Sequence, residues 1–106
     1  ILILGITFKE NCPDIRNTKV VDLIKALKDY GTDLIIHDPW ADENEVLEEY
    51  GLSSKKEIPE GKFDAIVLTV AHNRFKEINF SKIKSNNSII YDLKNFLDNS
   101  ISDKTL

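Results

Sequence analysis

Short unbroken apolar runs alternate along this chain with stretches of helical spacing. Ile1-Leu2-Ile3-Leu4 ends at Gly5. A run so short and so uniformly apolar predicts a buried strand over 1–5. Residues 6–17 show no periodicity, and Asn11, Pro13 and Asp14 favour a loop. Val20, Val21, Ile24 and Leu27 then recur at helical spacing with Lys and Asp between them. They predict a helix over 18–30, with Thr18 placed to accept an orphan N–H at its start and Gly31 to end it. A second strand is expected over 33–37, stopped by Asp38-Pro39. A short acidic helix follows over 41–50, ending at Gly51. Residues 52–62 read as connective, with at most a short edge strand. Phe63–Val70 is the clearest strand. A helical turn is expected over 73–78, a short helix over 80–84, a turn at Asn86-Asn87 and a strand over 88–92. From Asn99 the tail is polar and expected to fray.

Strands that alternate with helices, and are apolar throughout, belong to a parallel sheet covered on both faces. The expected fold is therefore α/β: Rossmann-like, doubly wound, with a mainly parallel sheet of about five strands. All 106 residues fit one domain. Ligands of such sheets bind beyond the carboxyl ends of the strands. Those ends carry Thr7, Phe8, Lys9 and the loop to Arg16; then His37 and Asp38; then Ala71, His72 and Asn73; then Leu93, Lys94 and Asn95. Lys9, Arg16 and Lys94 thus gather on one edge, where a phosphorylated ligand would satisfy them. The ligand is not a dinucleotide held in the usual way. No glycine lies between Gly5 and Gly31, so the Gly-x-Gly-x-x-Gly turn is missing.

Composition narrows the classes further. The net charge of −4 argues against a general nucleic-acid binder. Cys12 is the single cysteine, which rules out an intrachain disulfide and a thiolate zinc site and suits a reducing cytoplasm. No apolar run is long enough to span a membrane, and no signal peptide is visible. The chain opens at Ile1, inside a strand, as a piece cut from a longer protein would.

The segment Gly5-Ile6-Thr7-Phe8-Lys9, running on to Asp14-Ile15-Arg16-Asn17-Thr18, resembles the signature that opens the C-terminal domain of the UDP-glucose/GDP-mannose dehydrogenase family. That signature reads approximately Gly-x-Thr/Ala-Phe/Tyr-Lys, then Asp-x-Arg-x-Ser/Thr, and the spacing matches without gaps. His37-Asp38-Pro39 is similar to the family's Tyr-Asp-Pro, and Phe63-Asp64-Ala65 matches in the right order. The resemblance implies a role in oxidising the C6 hydroxyl of a nucleotide sugar to a carboxylate with two NAD, for surface polysaccharide. Phe8 and Lys9 match residues that contact the UDP-sugar, and Arg16 matches an arginine that reaches NAD held by an N-terminal domain. Lys94 stands where many members carry the arginine of Asp-Gly-Arg; here the motif reads Asp92-Leu93-Lys94, which keeps the charge and loses the bidentate fork. The replaced glycine, with Val70-Ala71-His72, looks nearer the N-acetylhexosamine branch, which implies a UDP-N-acetylhexosamine rather than UDP-glucose.

The family's catalytic cysteine and NAD glycines lie upstream, so no catalytic residue and no metal site is expected in this chain. The full enzyme is expected to be a homodimer and the fragment a monomer. Blander readings stand beside these. His72 serves equally well as a hydrogen-bonded structural residue, Arg16 as a partner of Asp14 or Asp22, and Asp38 as a strand-end cap. The alternative function is a non-enzymatic, flavodoxin-like regulatory or interaction module. Such a module wants an acidic cluster at the ends of the first strands, whereas here the first ends in Gly5-Ile6-Thr7 with cations following.

Overall fold

The computed structural model describes residues 1–98 and 100–105. The first apolar run forms β1 (Leu2–Leu4), in which every residue is buried. It pairs on one side with β2 (Ile35–His37) and on the other with β4 (Phe63–Leu68), both in parallel, so that Ile3 lies opposite both Ile36 and Val67. Beyond β2 lies β3 (Ser54–Lys55); beyond β4 lie β5 (Lys84–Asp92) and β6 (Lys104–Thr105). The order β3-β2-β1-β4-β5-β6, parallel throughout, is that of dinucleotide-binding folds. Strand order reverses between β1 and β4, and the crevice for a ligand opens there.

Side chains alternate across each strand and feed two cores. Ile3, Ile6 and Ile36 face α1 (Val20–Asp29) and α2 (Glu43–Tyr50), packing with Ile24 and Val46. Leu2, Leu4, Ile66 and Ile90 face the other way, under Phe75 of a 3₁₀ helix (Asn73–Glu77) and Phe80 of α3 (Phe80–Ile83). Each helix ends where its chemistry directs. Gly31, at φ +80°, follows α1 with its N–H on the Lys28 carbonyl at 2.9 Å. Gly51, at φ +68°, closes α2, and Asp42 caps its start by accepting from the Asn44 and Glu45 amides. Among the described residues no helix is long and apolar enough to cross a membrane.

Three expectations need correction. Thr18 accepts the Val20 N–H at 3.3 Å, but the helix starts at Val20 with Lys19 as its cap, and Lys19 makes no side-chain capping bond. Asn86-Asn87 does not end a strand. β5 runs straight through it, and the register with β4 jumps from Phe63↔Lys84 to Ala65↔Ile89, so the two asparagines occupy looped-out length within the strand. Asn99 lies outside the described residues. The chain beyond it, expected to fray, instead pairs Lys104 and Thr105 with Tyr91 and Asp92 at the sheet edge.

One close approach shapes the crevice. A Cβ on Gly5 would lie 2.6 Å from Val70 Cβ, and Gly5 has φ +104°. Only glycine lets the end of β1 press against the segment after β4, where the Thr69 amide donates to the Leu4 carbonyl at 3.0 Å.

Candidate functional site

A depression of about 260 Å³ opens at the carboxyl ends of β1 and β4, beside the start of α1. Phe8, Lys9, Lys19, Thr69, Val70 and Lys94 line it. Phe8 is 58% exposed and leaves a ring available for stacking at the rim. Three lysines outnumber the one carboxylate of the lining, Glu10, so in a chain of net charge −4 the local field is positive. The positive end of the α1 dipole opens on the same space. The arrangement suits an anionic ligand with a flat apolar part, such as a phosphorylated nucleoside.

Lys19 and Thr69 were not singled out in the sequence, and Val70 was noted only within Val70-Ala71-His72. Lys19 carried a readable signal, because a cation at the amino end of a helix opposes the dipole and is disfavoured unless an anion joins it. Thr69 and Val70 become visible only once β4 is known to lie beside β1.

The loop that presents Phe8 and Lys9 rests on a buried polar cluster. Asp38, just past β2, is 1% exposed and His72, past β4, is 0% exposed. The Asp38 carboxylate takes five donors. Oδ2 accepts the Ile6 amide at 2.8 Å, the Thr7 amide at 3.2 Å and His72 Nε2 at 3.0 Å. Oδ1 accepts the Trp40 and Ala41 amides at 2.8 and 3.1 Å. Burial pushes this carboxyl up, yet the hydrogen bonds from His72 and the Ile6 and Trp40 amides outweigh it and hold Asp38 below the ordinary carboxylate value. His72 Nδ1 accepts the Asn11 amide at 2.8 Å, so the ring carries its proton on Nε2. His37, at the end of β2, donates from Nδ1 to the Lys55 carbonyl at 2.9 Å, and its burial lowers its pKa from the ordinary histidine value.

The expected site residues therefore divide. Phe8, Lys9 and Lys94 converge on the depression. His72 does not face it, since its ring is fully buried with both nitrogens engaged behind the loop. Arg16 also lies apart. Its Nε and Nη2 donate to the two Asp14 oxygens, each at 3.1 Å, and it borders Glu45, Glu48 and Glu49 of α2. The Arg16 guanidinium holds the Asp14 carboxyl below its usual range, and Asp14 in turn raises Arg16. Asp92, fully buried, accepts the Lys94, Phe96 and Leu97 amides and so fixes the turn from which Lys94 projects.

Comparison with known proteins bears on this geometry. Residues 2–99 match the model of the UDP-glucose/GDP-mannose dehydrogenase family, UDP binding domain. The chain is 41% identical to a UDP-N-acetyl-D-glucosamine 6-dehydrogenase of Pseudomonas aeruginosa, over all of this chain and 26% of that protein. It is 43% identical to the enzyme of the same name from Salmonella typhi, with the same coverage. A solved structure of a UDP-N-acetyl-mannosamine dehydrogenase from S. aureus superposes with a TM-score of 0.72 at 19% identity, over 98% of this chain and 24% of that one, and so shares the fold. The chain spans about a quarter of the length of the relatives it matches.

Proposed function

This chain belongs to the UDP-glucose/GDP-mannose dehydrogenase family as a UDP binding domain, and from that premise we propose that it holds the nucleotide of a UDP-sugar in the depression at the start of α1. One observation carries the proposal: Phe8, Lys9, Lys19 and Lys94 meet there with the amino end of a helix, at the reversal of strand order. The lysines would take the diphosphate oxygens as charged hydrogen bonds. The exposed Phe8 ring would cover an apolar face of the ligand. In the intact enzyme the sugar would then point away from this domain, toward reacting groups supplied by the rest of the polypeptide. Fixing the remote nucleotide would help hold the C6 hydroxyl in place for its oxidation to a carboxylate.

NAD does not fit a complete site here. The turn after β1 lacks the glycines that would admit a pyrophosphate, and the segment from Gly5 to Thr18 is instead spent on the loop that carries Phe8 and Lys9. Its share in this domain would be a single contact from Arg16. The substrate we favour is a UDP-N-acetylhexosamine, supported by the two relatives above 40% identity, with the uronic acid formed in the cytoplasm for surface polysaccharide synthesis. No observation favours the regulatory-module alternative, which would want carboxylates where Lys9 and Lys19 stand.

Titration calorimetry of UDP into the 106-residue chain checks the proposal. Saturable binding is expected, weakened by added salt and weakened about tenfold or more by Lys9→Ala, the loss of one charged hydrogen bond. Equal affinity of Lys9→Ala and the parent chain would sink the assignment.

A further inference from the structure

The buried pair behind the loop has no direct access to a ligand, yet several of its ties lead to the residues that do. Asp38 Oδ2 clamps the amides of Ile6 and Thr7, immediately before Phe8. The Thr7 hydroxyl, 3.0 Å from His72 Nε2, donates onward to the Lys9 carbonyl at 3.0 Å. His72 Nδ1 holds the Asn11 amide, two residues after Lys9, and the Asn11 side chain accepts the Asn73 amide at 2.9 Å. Asn11 sits at φ +56°, a conformation that asparagine tolerates and most residues avoid. The exposed bridge Phe8-Lys9-Glu10 is thus pinned at both ends by one buried pair that joins the ends of β2 and β4.

We propose that Asp38 and His72 are positioning residues for the UDP-sugar site: their hydrogen bond fixes the Phe8–Lys9 bridge in its binding geometry before the ligand arrives. The proposal rests on the reading of the depression given above. The reason is entropic. A bridge left loose would have to be ordered on binding, and ordering even one residue costs enough to weaken affinity by roughly tenfold. The chemistry also explains why a histidine is used. The site needs a donor toward Asp38 and an acceptor toward Asn11 on opposite edges of one rigid ring, and neutral imidazole supplies both.

The two edges can be cut separately. His72→Gln places an amide nitrogen where Nε2 was and keeps the donor toward Asp38. His72→Asn places an oxygen near Nδ1 and keeps the acceptor for Asn11. His72→Phe removes both. At a temperature where each variant is fully folded by near-UV circular dichroism, UDP affinity should fall about tenfold for His72→Phe, or ~1.4 kcal/mol. The Phe8 amide, which donates to the Asp14 carbonyl at 2.7 Å, should exchange hydrogen faster in step with it. His72→Asn should recover part of both losses, since it restores the tie nearest the bridge. Should His72→Phe fail to fold, Thr7→Val, which removes the hydroxyl that links His72 Nε2 to the Lys9 carbonyl, provides the same readings.

A merely structural role predicts a lower melting temperature with unchanged affinity and unchanged exchange at the Phe8 amide, and that result would overturn the inference. The Lys9→Ala control separates the two failures. If Lys9→Ala loses UDP binding while His72→Phe and Thr7→Val keep it, the depression is right and the positioning role is wrong. If Lys9→Ala also keeps full affinity, the site itself is misassigned and the inference falls with it.

Discussion

Two aspartates hold cationic or ring partners at nearly the same distance and do opposite things. Asp38 meets His72 at 3.0 Å with both side chains fully buried. Asp14 meets Arg16 at 3.1 Å with the arginine side chain 81% exposed. On pair geometry alone the exposed pair is the better one, with two parallel N–H···O contacts. Burial reverses the ranking. Asp38 has no water to fall back on, so each of its five donors depends on it, whereas Asp14 and Arg16 each have solvent as a ready substitute. The comparison teaches that the buried pair is part of the frame and the exposed pair is free to change partners.

The largest break in that comparison comes from Asp38→Ala. It would leave four backbone amides without an acceptor and buried His72 with only the Thr7 hydroxyl. The expected loss is about 3–5 kcal/mol, a large part of the stability of a domain this size. Asp38→Asn, which keeps the shape and part of the accepting capacity, should lose less. Urea denaturation gives both values, and an unchanged midpoint for Asp38→Ala would show that the cluster is not structural. Asp14→Asn in the same experiment should leave the midpoint where it was.

Acid should separate the pairs next. Burial lowers the pKa of His37, so the fold favours its neutral form. Its contribution is complete above the unfolded value of about 6.5 and declines as pH falls below it. Asp38 is also lowered, and because it is an acid the stability it adds is present above its unfolded value of about 3.9 and is lost as pH falls through the folded one. Urea midpoints measured from pH 8 to 3 should therefore decline in two stages. Asp14 is lowered too and would act in the second window, but its exposure leaves it open to screening. In 1 M salt the second stage should persist in Asp14→Asn and shrink in Asp38→Asn. The reverse pattern would mean that the exposed pair had been ranked too low.

The sequence disclosed the parts of this cluster but not their meeting. Thr7, Asp38 and His72 each stand just beyond an apolar run, which marks them as strand-end residues. They lie 31 to 65 positions apart, and no periodicity reports contacts at that range. Their convergence follows from β1 lying between β2 and β4, so the strand order, rather than any local pattern, carries the information. The same limit explains His72. As a polar residue at a strand end it looked as ready for a ligand as for the core, and only the amide of Asn11 on its far edge settles which way it faces. Local patterns were read more fully. The helices over 20–29 and 43–50 follow apolar spacing, and their ends follow glycine. At Asn86-Asn87 the turn chemistry was present, but pairing with β4 carried the strand through it as a bulge.

The smallest structural effect belongs to Arg16, and it is the most informative for function. Breaking its pair with Asp14 in Arg16→Gln should leave the urea midpoint unchanged within error, because an exposed ion pair returns to water with little loss. For the same reason the guanidinium can leave Asp14 for an anion brought up by another part of the enzyme. Its planar fork fits a phosphate with two parallel bonds, which a lysine cannot reproduce. In the intact dehydrogenase, Arg16→Gln and Arg16→Lys should both raise KM for NAD several-fold while KM for the UDP-sugar stays put, since Arg16 lies outside the depression that holds Phe8, Lys9 and Lys94. Steady-state kinetics with each substrate varied in turn measures the split. Suppose instead that Arg16→Gln lowered the melting temperature by several degrees and left both KM values alone. The exposed pair would then be a structural clasp for the loop after β1, and the contrast between the two aspartates would rest on burial in name only.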